Sequence, residues 1–554
     1  MKQFLTSLVL GGALGAAPTP QDYPPWDEHD TRPNVHIGML ARLTKYSCGP
    51  IEYVAKRMAV HHVNTRNSTL APAINNLQNP FYLSYDMFDS NGNGLVATRG
   101  GLEMLGVTNE FAGVTKEAKV LVGPLSSDTT LKCNPVLGIF GVPQIGWAAT
   151  NALLSNVEEY PYYFRPVPPD SFAMSEMVKF MATLLPGKSV HILYSDGGYQ
   201  KAQAMDFVNS WGTTFTQAGD PKINSWKFKP AGEAGMSIKG DATATAEVQN
   251  ALNEIKVSDT RICVLFVISA EGGDVQDMIV ENGMLTKGYL WLGTDGIGAE
   301  YIPPQRARLY KGVLAFQALD SSIRSPMFAK HWADEVPTMS LPEFDTFERC
   351  GKTMRDKCKD NDDFTWYDRG MTNKGTAREV PSGKLEDESR TKLQCVGYTA
   401  FAYDAIISSA IAIDRAITAK GGNAASITGM DIADQFKLMK ESDGNMGLSP
   451  GKLFFNDEHW RPLPMQVLNF DGLNGAPFRV AEVHAGVTVW CDHLTITDSS
   501  AAGYCDGSTD GKGSVVWSDG SVGFANLPSG APPQVTCEAN QVIINDQCDL
   551  CPGG

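Results

Sequence analysis

The residues best placed to do chemistry lie between Lys119 and Tyr199. Lys119–Val122 reads as a short apolar strand that ends in Gly-Pro-Leu-Ser-Ser, and a helical pattern follows at once. Such a strand-to-helix turn aims free backbone N–H groups, together with the hydroxyls of Ser126 and Ser127, at an anion. A second strand, Pro143–Trp147, ends in the small polar run Ala148-Ala149-Thr150, and a third element leads to Pro168-Pro169-Asp170. This order suits a cleft at the carboxyl ends of parallel strands. The chemistry it offers is the capture of a small molecule. Serines that open a helix are also ordinary N-caps, and that reading of Ser126 and Ser127 stays open at this point.

Other motifs lead nowhere. Asp89-Ser90-Asn91-Gly92-Asn93-Gly94 begins like a calcium loop, but its twelfth position is Gly100, where a bidentate carboxylate is needed. Gly187-Lys188-Ser189 imitates the end of a phosphate loop, yet it joins helix to strand, the reverse of the required order. There is no HExxH pair and no paired CxxC. Catalysis therefore has no nucleophile, metal set or cofactor loop to rest on, and no cofactor is expected.

The elements that would position a binding site alternate regularly. Asn34–Leu40 reads as a strand, Ile51–Val63 as a helix and Phe81–Tyr85 as a strand. After Asp170 a second series begins, with helix Ser171–Leu185, strand Val190–Tyr194, helix Gln200–Trp211, strand Ile262–Ile268 and strand Gly288–Gly293. Strand and helix alternating at this spacing imply parallel sheets covered on both faces, and two such series imply two α/β lobes. The first lobe is expected over 33–168 and 318–450, and the second over 169–317 and 451–485. Residues 486–536 read as a Gly/Ser-rich extension and 537–554 as the start of a cysteine-rich module. The apolar run Gly397–Ile417 predicts a long buried helix, whereas 339–394 reads as a polar insertion.

The formal charge of −16 argues against nucleic acid, which needs a positive footprint. The N-terminus, one Lys followed by an apolar run from Phe4 to Ala16, reads as a signal peptide over residues 1–17. No later stretch approaches ~20 apolar residues. A secretory route fits eleven cysteines. Cys263 lies within a predicted strand and is expected to be a buried free thiol. Candidate bridges join Cys491 with Cys505, two of Cys350, Cys358 and Cys395, and Cys48 with Cys133; Cys537, Cys548 and Cys551 form a terminal cluster. Spacing alone decides none of these. Asn67-Ser68-Thr69 is a glycosylation sequon.

The segment 119–199 resembles the receptor family ligand-binding region, the bilobed clamshell of class C G-protein-coupled receptors, natriuretic-peptide receptors and bacterial branched-chain amino-acid binding proteins. The likeness extends over about 33–485 and is most like metabotropic glutamate receptor ectodomains. It implies a periplasmic-binding-protein type I fold, α/β, with a three-crossing hinge near 166–171, 315–322 and 448–454. It also implies that Ser127 and Thr150 hold a ligand's α-carboxylate, with Ser126 and Ala148 beside them. Asp170, Tyr199 and Asp295 would receive the ammonium, Tyr199 by its ring face. Each also has an ordinary reading: Asp170 as a helix start, Tyr199 as a packing aromatic, Asp295 as turn chemistry. The sequence departs from the family at Gln200, where glycine is usual, and at Ala148, where a serine is. The distal arginine of glutamate receptors has no match near Cys48–Arg57 and their distal lysine falls on Tyr398, so a neutral or aromatic amino acid or another small polar molecule fits at least as well as glutamate. The resemblance implies a receptor ectodomain that dimerises through its first lobe and precedes a membrane-borne signalling module. A solute-binding protein for an ABC importer and a binding-incompetent dimerisation scaffold are the alternatives.

Overall fold

The computed structural model describes residues 30–42, 49–90, 92–108, 117–217, 220–230, 238–258, 260–286, 288–298, 304–319, 398–470, 478–484 and 487–490, with short pieces at 328, 331, 348–349, 352–353, 472, 541–544 and 547–550. The chain forms two compact units, Met1–Pro169 with Asp320–Leu463 and Asp170–Leu319 with Pro464–Gly554. The architecture is α/β, with two sheets rich in parallel strands and helices between the strands.

The first unit opens with β1 (Asn34–Ala41), α1 (Gly49–Thr65), β2 (Tyr82–Asp89), α2 (Gly94–Met104), β3 (Val120–Val122), α3 (Ser127–Leu137), β4 (Gln144–Ile145) and β5 (Tyr163–Phe164). The strands pair in parallel in the order β2-β1-β3-β4-β5. The chain places β2 on one side of β1 and β3 on the other, which makes the carboxyl ends of β1 and β3 a topological switch point. Gly123 follows β3 with φ +102°, and a Cβ there would lie 2.3 Å from the Leu40 carbonyl oxygen, so only glycine fits this turn.

The second unit continues with α4 (Asp170–Leu184), β6 (Val190–Ser195), α5 (Gly198–Thr214), β7 (Ile223–Phe228), α6 (Ala242–Lys256), β8 (Ile262–Phe266), α7 (Ser269–Glu281), β9 (Leu290–Gly293), the single turn α8 (Asp295–Gly298) and β10 (Leu314–Ala318). The period-2 alternation of its strands separates two cores. Ile192, Val264, Leu292 and Phe316 pack with Met177 and Phe207 on one face. Leu193, Leu265, Trp291 and Ala315 pack with Leu252 and Ile279 on the other. Burial on both faces explains why β8 reads as an unbroken apolar run.

The chain returns to the first unit with a hairpin of β11 (Glu348–Arg349) and β12 (Lys352–Thr353), then α9 (Thr399–Ala419) and α10 (Gly429–Leu438). Helix α9 is buried over most of its length and packs on α1, where the Tyr403 hydroxyl lies 2.7 Å from His62 Nδ1. Strands β13 (Met465–Asn469), β14 (Phe478–His484) and β15 (Val487–Trp490) then extend the second sheet, antiparallel from β10 outward. A last hairpin pairs β16 (Gln541–Ile544) with β17 (Gln547–Leu550).

Two boundaries differ from the expectation. The third passage between units lies at Leu463/Pro464 rather than after residue 450. Residues 449–461 stay with the first unit because Arg165 N–H donates to the His459 carbonyl and Arg461 N–H to that of Arg165. The buried Arg461 guanidinium also pairs with Asp404 at 3.2 Å and donates to the carbonyls of Pro450, Gly451 and Lys452. The second sheet, in turn, runs past 485 into β15.

The pairing of Cys133 with Cys48 is overturned: Cys133 is a free thiol. It sits on the core face of α3 with Leu121, Leu137 and Val142. Its Sγ lies 3.7 Å from Gln144 Nε2, and burial pushes its pKa up to about 12. Cys263 is likewise free and buried. Cys548 lies on β17 opposite Ile543. Cys48, Cys350, Cys358, Cys395, Cys491, Cys505, Cys537 and Cys551 lie outside the described residues, as do residues 1–17.

Candidate functional site

In the first unit the loops after β3 and β4 meet at Ser127. Ser126 occupies the N-cap position of α3, but its hydroxyl makes no cap bond; it lies 2.7 Å from the Thr129 hydroxyl. Ser127 is buried, and its Oγ accepts from the Asn151 N–H at 3.1 Å, which ties the helix start to the Thr150 loop. Thr150 Oγ1 is buried and has no hydrogen-bond partner among the described residues. A buried hydroxyl left unmatched costs about 1–3 kcal/mol. Ala148 is half-buried and offers only a methyl group.

Two residues that sequence reading missed hold this loop. Arg165 is fully buried and donates from Nη1 to the carbonyls of Ala149 at 2.9 Å and Asn151 at 3.0 Å, on either side of Thr150. Lys56, on α1, is buried with Nζ 3.5 Å above the Trp147 ring, and Trp147 Nε1 donates to Glu52 at 2.9 Å. Burial brings the Lys56 ammonium down to about 7, opposed by the Glu52 charge.

In the second unit Asp170, Tyr199 and Asp295 come together. The Tyr199 hydroxyl donates to both Asp295 oxygens, at 2.8 and 2.7 Å. Gln203, one turn after Tyr199 on α5, donates from Nε2 to Asp170 Oδ1 at 3.0 Å, Tyr199 Oη at 2.7 Å and Asp295 Oδ1 at 3.2 Å. Asp170 and Gln203 are buried, whereas Tyr199 and Asp295 are half-exposed. The result is an acceptor-rich, acidic cluster suited to a cation.

A sequence model described as the receptor family ligand binding region matches residues 51–475, most of the chain. The chain belongs to that family. It is a receptor ligand-binding domain and not an enzyme. Glutamate receptor 3.1 of Oryza sativa subsp. japonica is 22% identical over 52% of this chain and 28% of its own length. Metabotropic glutamate receptor 6 of Oryctolagus cuniculus is 25% identical over 41% and 27%. Taste receptor type 1 member 3 of Felis catus is 30% identical over 25% and 16%. The matched segments thus span between 16% and 28% of these relatives' own lengths.

The family departure at Gln200 has a local cause. Gln200 is buried and donates to Glu271 at 3.0 Å, while Ser195 donates to the other Glu271 oxygen at 3.0 Å. Gly197 gives it room, since a Cβ there would stand 2.7 Å from Gln200 Oε1. The glutamine therefore anchors the start of α5, the helix that carries Tyr199 and Gln203. Asn67 lies half-buried just past α1, its Oδ1 accepting from the Thr69 N–H at 3.1 Å. Among the described residues no group of three metal-ligating side chains converges, and no helix is long and apolar enough to cross a membrane.

Proposed function

We propose that the chain is the extracellular ligand-binding region of a cell-surface receptor, and that its ligand is an amino acid or a similar zwitterion. The observation that carries this reading is the gathering of Asp170, Tyr199 and Asp295 around one amide nitrogen in the second unit. That cluster would receive the ammonium. Ser127, Thr150 and the N–H groups opening α3 would receive the carboxylate. Closure of the lobes on the ligand would be the signal. The apolar run Phe4–Ala16 supports a secretory route. By family resemblance the domain would dimerise through its first lobe and act on a downstream membrane module; a monomer in sedimentation at micromolar concentration would remove the dimer from this reading.

A free amino acid has roughly ten heavy atoms, and at ~0.8 kcal/mol per atom it would bind with about micromolar affinity. The test is calorimetric titration of the secreted chain with the twenty free amino acids. A micromolar hit weakened by both Ser127→Ala and Asp295→Asn is the expected outcome. A folded protein that answers none of them rules out the zwitterion.

A further inference from the structure

We propose that Gln203 is the positioning residue that assembles the second unit's ammonium acceptor, an inference that rests on the zwitterion reading. The amide has one orientation available. The carboxylates of Asp170 and Asp295 only accept, so the NH2 end must face them, and the buried Thr294 Oγ1 then donates to Gln203 Oε1 at 3.1 Å. That end has two hydrogens and three acceptors, and the contact to Asp295, the longest at 3.2 Å, is the shared one. Two carboxylates from distant parts of the chain, Asp170 opening α4 and Asp295 following β9, thus bond to one neutral nitrogen. The like charges repel, and the hydrogen bonds from this nitrogen offset that repulsion. A lysine or arginine at this position would neutralise them and remove the attraction for a ligand cation. A glutamine holds them in place and leaves their charge intact. It also bonds to the phenol that bridges to Asp295, so Tyr199 is fixed at both sides of its oxygen.

The test compares wild type with Gln203→Leu and Gln203→Glu, with and without ligand, the probe being whichever of the twenty free amino acids binds wild type tightest, alongside its N-acetyl derivative. Gln203→Leu should weaken the free amino acid at least tenfold and leave the N-acetyl derivative, which has no ammonium, unchanged. Gln203→Glu places a third carboxylate against Asp170 on α4 and Asp295 after β9, with the Tyr199 phenol beside them. Protonation of the introduced carboxylate relieves that contact, so its folded-state pKa is raised and stability is lost as pH rises. The melting-temperature gap between Gln203→Glu and wild type should therefore be larger at pH 7.5 than at pH 5, without any ligand. Burial alone also raises a carboxylate's pKa, so the gap at pH 7.5 should in addition shrink when Asp295→Asn is added to Gln203→Glu, which a simple packing role would not give. If wild type binds no amino acid, the zwitterion reading falls and the ligand-free melting gap alone decides the role of Gln203. A pH-independent gap, or a Gln203→Leu protein that binds the free amino acid like wild type, overturns the inference.

Discussion

In the first unit the groups proposed to meet a ligand are short and held by main chain: the Ser127 hydroxyl on the Asn151 N–H, Thr150 between two carbonyls pinned by Arg165, and the N–H groups that open α3. In the second unit they are long, acidic and held by one another, with Asp170, Tyr199, Gln203 and Asp295 bonded side chain to side chain. The first arrangement is set when the backbone folds. In the second, the carboxylates rely on their neighbours for hydrogen bonds. The proposed carboxylate and ammonium sites are thus built from different materials.

The largest effect should come from breaking the main-chain scaffold itself. Arg165→Met leaves two buried carbonyls without their charged donor, and urea unfolding should show a loss of about 3 kcal/mol. In the second unit, Asp295→Asn keeps the shape and removes the charge; its calorimetric affinity for an amino acid should fall by ten- to a hundredfold, about 1.4–3 kcal/mol, with little change in stability. Lys56 gives a pH signature to the first unit. Its folded pKa of about 7 lies below the ordinary 10.5, so between these values the unfolded chain binds the extra proton and stability rises with pH, by up to about 1.4 kcal/mol per pH unit. Chemical unfolding at pH 7.5 and 8.5 should show this rise in wild type and its absence in Lys56→Met. The smallest effect belongs to Thr150→Val, which removes an unpartnered hydroxyl: stability should stay within about 0.5 kcal/mol, while affinity falls roughly fivefold. A clear destabilisation would mean that the hydroxyl already serves the fold.

The same contrast explains what is legible in the sequence. The turn after β3 is readable because Gly-Pro-Leu-Ser-Ser needs a residue that only glycine can supply and then opens a helix. Helix α9 is readable because twenty-one residues of mostly apolar text leave few alternatives. Gln203 is not readable: one polar residue on a helix face looks like solvent-facing surface until Asp170 and Asp295, 33 and 92 residues away, are brought to it. Arg165 is hidden for a similar reason, since its partners are carbonyls and carbonyls have no sequence signature. The passage at Leu463/Pro464 is misplaced because Leu453–Trp460 reads equally well on either side of the boundary, and only the bonds of Arg165 and Arg461 assign it. A bridge from Cys133 to Cys48 is open to the sequence because spacing says nothing of the apolar packing that keeps the thiol free.

The central claim is that one ligand presents a carboxylate to the first unit and an ammonium to the second. The most direct measurement is calorimetry of one bound amino acid, its methyl ester and its N-acetyl derivative against wild type, Ser127→Ala and Asp295→Asn. The account predicts that the ester binds weakly and equally to wild type and Ser127→Ala, and that the N-acetyl derivative binds weakly and equally to wild type and Asp295→Asn. An ester still sensitive to Ser127→Ala, or an N-acetyl derivative still sensitive to Asp295→Asn, would contradict it.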